Sequence, residues 1–145
     1  MPLISKYEAS SAPMLRWNTD NLHDGFYTIL MVDPDAPSYE SPIMSEWLHW
    51  MVVNIPDSGM HIDSGDTIME YAGPNPPAHS GDHRYCLYVF KQRASNADLG
   101  GLQIEGRARF DTEEFIKTAG QEFELIASNV FKSNHDYEGH SRQEL

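Results

Sequence analysis

VDPDAPSYESP, residues 32–42, follows the apolar run Phe26 to Met31 and decides how the chain is read. An apolar, β-branched and aromatic run of this length predicts a strand over Gly25 to Val32. Pro34 and Pro37 then fix φ near about −65° and push Asp33 and Ala36, the residues before them, into extended geometry. The strand therefore ends in a stiff corner that carries two carboxylates whose positions are nearly set before anything binds them.

Working outward, Trp47 to Ile55, His83 to Lys91 and Glu124 to Phe131 have the same composition and the same turn-forming borders, and Thr67 to Tyr71 adds a short fifth strand. In the second strand His49, Met51, Val53 and Ile55 alternate with Leu48, Trp50, Val52 and Asn54. In the third, Cys86, Tyr88 and Phe90 alternate with Tyr85, Leu87 and Val89. Both faces are largely apolar, which predicts central strands covered on both sides, with Trp17, Trp50, Tyr88 and Phe90 in the core. One helix is predicted over Asp111 to Ala119, with Asp111 as N-cap, Glu114 completing a capping box and Gly120 just past the end. Strands in succession without a βαβ rhythm imply a mainly β, antiparallel two-sheet sandwich with few short helices.

The chain has 145 residues, enough for one domain, expected to span residues 1–145 with a frayed polar tail over 137–145. Ten basic against 22 acidic residues give a net charge of −12, which repels nucleic acid and anionic membrane surfaces, so any anion must be captured locally. A single cysteine, Cys86, excludes an internal disulfide framework and reads as a buried, inert thiol. No signal-like segment and no run of eighteen apolar residues occurs, so a cytoplasmic protein without integral membrane association is expected. The terminal RQEL is only faintly like an ER-retention address.

A second stiff loop lies in YAGPNPPAHSGDHRY, residues 71–85, where Pro74, Pro76 and Pro77 with Gly73 and Gly81 deliver His83 to the start of a strand. His49 opens another strand. Asp33, Asp35, His49 and His83 thus all stand at strand ends, where loops on a common edge form pockets.

At this point the residues resemble a family. DPDAPS at 33–38 with Pro42, EWLHW at 46–50, the prolines 76 and 77, and GDHRY at 81–85 are similar to the motifs of the phosphatidylethanolamine-binding proteins, which include the Raf kinase inhibitor proteins and the florigen relatives of plants. The similarity runs from about Met14 to Asp136. The resemblance implies a β-fold of two antiparallel sheets with a small pocket at one edge for an anion, a phosphate or a phospholipid headgroup such as that of phosphatidylethanolamine. Carried over position by position, the ligand-binding residues would be Asp33, Pro34, Asp35, Pro37, Trp47, His49, Pro76, Pro77, Gly81, His83 and Tyr85. The aspartates would orient imidazoles and accept from loop amides or a ligand ammonium, while His49, His83 and backbone N–H groups would receive the anion. The resemblance also implies a cis peptide in the corner, with Ala36-Pro37 as its place, and a regulatory role toward a protein partner such as a kinase or protease, without catalytic residues, cofactor or metal. Where many relatives have a tyrosine three residues before the tryptophan of EWxH, this chain has Met44, which removes a hydroxyl from the ligand's surroundings.

The competing reading is a metal-dependent hydrolase built on the His and Asp cluster. Against it, the chain has neither HExxH nor GxSxG. His23, His61, His79, His135 and His140 read as solvated surface residues, and Asp33 and Asp35 have a purely structural alternative as caps of loop amides that hold the fold together.

Overall fold

The computed structural model describes residues 1–17, 25–57, 61–119 and 123–139. His23, Gly120, His140 and the last residues of the predicted tail lie outside them. Five strands form one antiparallel sheet: β1 (Phe26–Asp33), β2 (Trp47–Pro56), β3 (Asp66–Met69), β4 (His83–Gln92) and β5 (Phe123–Ser133), in the order β3-β2-β1-β4-β5. Two short helices, α1 (Ala97–Gly100) and α2 (Thr112–Thr118), fall between β4 and β5. The protein is mainly β and antiparallel as its sequence predicts, and all five strands fall within two residues of the expected positions. α1, a single turn with Asn96 as N-cap, is too short to leave a helical period in the sequence.

The described residues carry one sheet where two were expected. The apolar faces of the central strands are instead covered by segments with little regular structure. On one side Tyr27, Ile29, Met31, Val52, Leu87 and Val89 pack against Ile4, Ala9, Leu15 and Tyr71. On the other, Leu30, Val32, Leu48, Met51, Val53 and Phe90 pack against Leu99, Phe115, Ile104 and Phe110. Strand β1, hydrogen-bonded on both edges and covered on both faces, is buried along nearly its whole length. Trp17 closes one flank, its ring edge-on to Tyr27 at 5.3 Å. Tyr88 and Cys86 are half-buried, and burial pushes the Cys86 thiol pKa up.

The expected alternation in β2 fails at two points for one physical reason. Met31 pairs with Trp50 while Val32 pairs with Leu48, so His49 is an extra residue in the ladder; Tyr27 pairs with Ile55 while Ile29 pairs with Val52, which leaves Val53 and Asn54 opposite Thr28 alone. Each bulge reverses the facing of the residues beyond it. Met51 and Val53 therefore share a face with Leu48, and His49 turns instead to the face of Tyr85, its ring 5.2 Å away and edge-on.

At the second bulge Asn54 adopts φ 56°, in the left-handed region that asparagine tolerates better than most residues. Its side chain is fully used. Nδ2 donates to Asp66 Oδ2 and the Asn96 carbonyl, and Oδ1 accepts from Gln92 Nε2 and the Asn96 N–H. Gln92 Oε1 in turn accepts from Thr28 Oγ1 and the Asn54 N–H. This buried network ties β1, β2, β3 and β4 to the start of α1. Asn54→Ala removes four hydrogen bonds from a buried site and leaves their partners unsatisfied, so it should lower stability by about 2–4 kcal/mol in urea unfolding. A loss below about 1 kcal/mol would contradict the network's role.

Ahead of α2, Asp111 Oδ1 accepts the Glu114 N–H at 3.1 Å, the cap that the sequence predicts. Near the C-terminal side, Tyr137 N–H donates to Asn134 Oδ1 at 2.7 Å, Glu138 is exposed and Gly139 is buried. No helix of the described residues is long and apolar enough to cross a membrane.

Candidate functional site

The corner after β1 and the loop before β4 meet through their aspartates. Asp33, last in β1 and 3% exposed, uses both carboxylate oxygens: Oδ1 accepts the Asp35 N–H at 2.7 Å and Oδ2 accepts from His83 Nδ1 at 2.7 Å. The first bond fixes the turn, and the second reaches 50 residues along the chain to join the two proline-braced loops. The Ala36-Pro37 peptide is cis, as expected, and so is Ser45-Glu46.

Asp35 takes a different direction. Its Oδ2 accepts the Arg84 backbone N–H at 2.8 Å and Arg84 Nε–H at 3.0 Å, and Oδ1 accepts from Arg84 Nη2 at 2.8 Å. His83 and Arg84 are neighbours at the start of a strand and so point to opposite faces, and the two aspartates follow them. Burial pushes the Asp35 pKa up, but the Arg84 hydrogen bonds and charge outweigh it and hold the carboxyl below the usual value. Arg84 also lies over the Tyr39 ring, 5.6 Å from its centre.

Between the loops is a cavity of about 430 Å³. The structure brings Asp33, Pro37, Trp47 and His49 to its wall, together with Pro76, Pro77, His83 and Tyr85. Pro34 does not line it. Asp35 and Gly81 line a separate cavity on the other side of the corner, with Arg84. Sequence reasoning missed Arg107, Asn75, Ala72 and Gly73 in the first wall, while Met44, noted only as a departure, forms part of it.

The bulged His49 is held by Nδ1, 2.6 Å from the Ala72 carbonyl. A carbonyl only accepts, so Nδ1 carries the proton. Burial pulls the His49 pKa below the ordinary imidazole value, helped by the positive charge of Arg107 and opposed by the Ala72 carbonyl and Asp33. Near neutral pH the ring is uncharged and Nε2 is an acceptor. His83 is engaged at both nitrogens, Nδ1 by Asp33 and Nε2 by Ser80 Oγ at 2.9 Å. It offers the cavity a ring, not a free N–H.

Two donors remain. Tyr85, 1% exposed and on the cavity wall, has no hydrogen-bond partner for its hydroxyl among the described residues. Burial, reinforced by Asp33 and Asp35, raises its pKa, so it stays an O–H donor. Asn75 is exposed at the mouth. Arg107 spends its guanidinium on the carbonyls of Leu48, His49 and Glu70, which braces the start of β2 and places a positive charge against the wall. Gly73 is required by close approach: a Cβ there would stand 2.6 Å from the Ala9 carbonyl oxygen, and Tyr71 Oη donates to that same oxygen.

Among the described residues no three His, Cys, Asp or Glu side chains converge as a metal-ligand set. His83 and Asp33 are committed to each other and to neighbours, and Asp35 to Arg84, so of the four side chains only His49, through Nε2, keeps a lone pair that the metal-hydrolase reading could use.

Arg84→Leu should cost about 2 kcal/mol at pH 7, a figure discounted for the half-exposed guanidinium, because it strips the buried Asp35 of its counter-ion. A carboxyl with a lowered folded-state pKa contributes stability above its unfolded value and loses it as pH falls through the folded value. The gap between wild type and variant should therefore close on acidification. A gap independent of pH would contradict the pairing.

A family model described as phosphatidylethanolamine-binding protein matches residues 4–131. A Drosophila melanogaster protein whose name provisionally assigns it to odorant binding (A5) is 39% identical over 137 residues, 89% of this chain and 61% of the relative. Protein MOTHER of FT and TFL1 homolog 2 of Oryza sativa subsp. japonica is 38% identical over 113 residues, 78% of this chain and 62% of that protein. The chain thus spans about three fifths of the length of these relatives. A carboxypeptidase Y inhibitor, solved in complex with its cognate proteinase, has the same fold at a TM-score of 0.73 and 23% identity, covering 92% of this chain and 75% of that one. A Plasmodium vivax phosphatidylethanolamine-binding protein gives 0.74 and 18%, covering 93% and 78%.

Proposed function

The chain belongs to the phosphatidylethanolamine-binding protein family, and from that premise we propose that it is a binding protein that captures a small phosphorylated ligand in the cavity between residues 33–49 and 72–85 and acts on a protein partner, a kinase or a protease. The observation that carries this reading is the Tyr85 hydroxyl: a buried donor without a protein partner among the described residues, on the wall of a cavity that also has an arginine. An oxygen of a phosphate satisfies it. His49 Nε2, an acceptor, calls for a donor on the same ligand, either a P–OH or an ammonium. A phosphoethanolamine headgroup has the anion and the ammonium together, so it fits both sides. Asp33 and His83 support the site by holding the two loops in register rather than by meeting the ligand with free polar atoms.

Pro37, Met44, Trp47, Pro76 and Pro77 make the rest of the wall apolar, which favours a ligand carrying an apolar group next to its phosphate. The binding named for the Drosophila relative agrees with such a wall. Two or three charge-assisted hydrogen bonds of about 1.5–3 kcal/mol gross each, reduced by desolvation and ordering, place the affinity at roughly micromolar to millimolar. The inhibitor role of the carboxypeptidase Y inhibitor supports the protease alternative for the partner through shared fold alone.

Calorimetric titration of inorganic phosphate and of O-phosphoethanolamine separates the two ligand sources. Tyr85→Phe removes one hydroxyl without changing ring packing, and is expected to weaken both by about tenfold, the worth of one charge-assisted bond, with an unchanged circular dichroism spectrum. Equal affinity in the variant would remove the assignment. Tighter binding of O-phosphoethanolamine than of phosphate is expected if a headgroup is the ligand.

A further inference from the structure

Ser80 stands three residues before His83 and is no part of the phosphate cavity. Its Oγ lies 2.9 Å from His83 Nε2, and His83 Nδ1 lies 2.7 Å from Asp33 Oδ2. A carboxylate only accepts, so the Nδ1 proton is on the imidazole. In the neutral ring Nε2 is then a lone pair, and the Ser80 hydroxyl is the only group hydrogen-bonded to it among the described residues. The Pro77 carbonyl, 2.7 Å from the same Oγ, is a second acceptor for that proton. Rotation about one bond moves the hydroxyl hydrogen between carbonyl and imidazole. Carboxylate, imidazole and hydroxyl in series are the parts of an acyl-transfer triad, which is recognised by geometry and roles rather than by chain order.

We propose that Asp33, His83 and Ser80 form a nucleophilic relay through which Ser80 is acylated by a carboxylic ester. The relay crosses the wall between two cavities. Asp33 and His83 face the phosphate cavity, whereas Ser80 opens on a second one of about 610 Å³ that also includes Tyr39, Gly81 and Arg84. In the first step Ser80 Oγ bonds to the ester carbonyl carbon as its proton passes to His83 Nε2, and Asp33 faces the resulting imidazolium. The C–O bond of the ester then breaks, and His83 returns the proton to the departing alcohol. Water repeats the sequence on the acyl-serine: its oxygen bonds to the carbonyl carbon, its proton goes to His83 and then to Ser80 Oγ as that bond breaks, and a carboxylic acid leaves. Gly81 supplies a donor for the transient oxyanion. Its N–H makes no hydrogen bond among the described residues, its φ is 78°, and no atom lies within 4 Å of where a Cβ would stand. Glu40 and Asp82 border the cavity and turn away anionic esters, so neutral or cationic ones are the substrate class. Tyr39, 66% exposed, offers an aromatic surface for the ester's apolar part.

The test uses the full chain with a fluorophosphonate probe and with p-nitrophenyl acetate. The expected result is an adduct that peptide mass spectrometry places on Ser80, together with p-nitrophenolate release that Ser80→Ala lowers to the buffer background and Asp33→Asn slows about a hundredfold or more. Ser80 is half-buried at a loop, so its alanine variant is expected to fold; circular dichroism checks this, and phosphate titration of the same variant reads the anion cavity separately from the relay. No adduct on Ser80, or release that Ser80→Ala leaves unchanged, overturns the proposal.

Discussion

The hydrogen bond from His83 to Asp33 is the constraint on which the rest of this molecule's functional edge depends. It is buried, 2.7 Å long, and joins the end of β1 to the start of β4. Those strands are already neighbours in the sheet, but pairing alone sets only the backbone; the side-chain bond sets where the two loops beyond the ladder stand. With the Asp33 carboxylate also holding the Asp35 N–H, one residue fixes the turn and the partner loop together. Cavity, Tyr85 hydroxyl and Ser80 take their places from that bond.

The two aspartates of one short motif divide the work by the facing of the residues they meet. Asp33 is satisfied inward by an imidazole, beside the cavity. Asp35 is satisfied by a guanidinium and a backbone N–H on the other side, where it acts as a latch on β4. Spacing alone assigns both to one pocket; the opposite facing of His83 and Arg84 separates them. The same logic applies to His49, whose direction is set by a bulge and not by its place in a period of two.

How much of the fold and site is legible in the sequence depends on how local each signal is. Strand positions and the Asp111 cap depend on short runs and stand where the residues predict, and the cis peptide at Pro37 stands where the family resemblance implies it. The pairing of two distant loops is readable because prolines and paired polar residues mark both. Bulges leave no compositional trace, so simple alternation gives the wrong facings in β2. Arg107 sits in GRARF with nothing nearby to mark it; its role comes from carbonyls of Leu48, His49 and Glu70, which only the fold brings within reach. In the sequence Asn54 is one member of the β2 alternation and Gln92 lies just past the predicted third strand, and the network they close joins four strands and a helix cap. The expected second sheet rests on strands apolar on both faces, a pattern equally satisfied by irregular segments that bury the same surface.

The central claim is that His83 is held at Nδ1 by Asp33 in the native protein. The most direct measurement is a ¹H–¹⁵N spectrum of the histidine side chains. The account predicts a protonated Nδ1 at His83 whose proton exchanges slowly with water and resonates far downfield, and whose signal is lost or strongly displaced by Asp33→Asn. A His83 ring with its proton on Nε2 alone, or an Nδ1 proton exchanging as freely as in an exposed histidine, would contradict it.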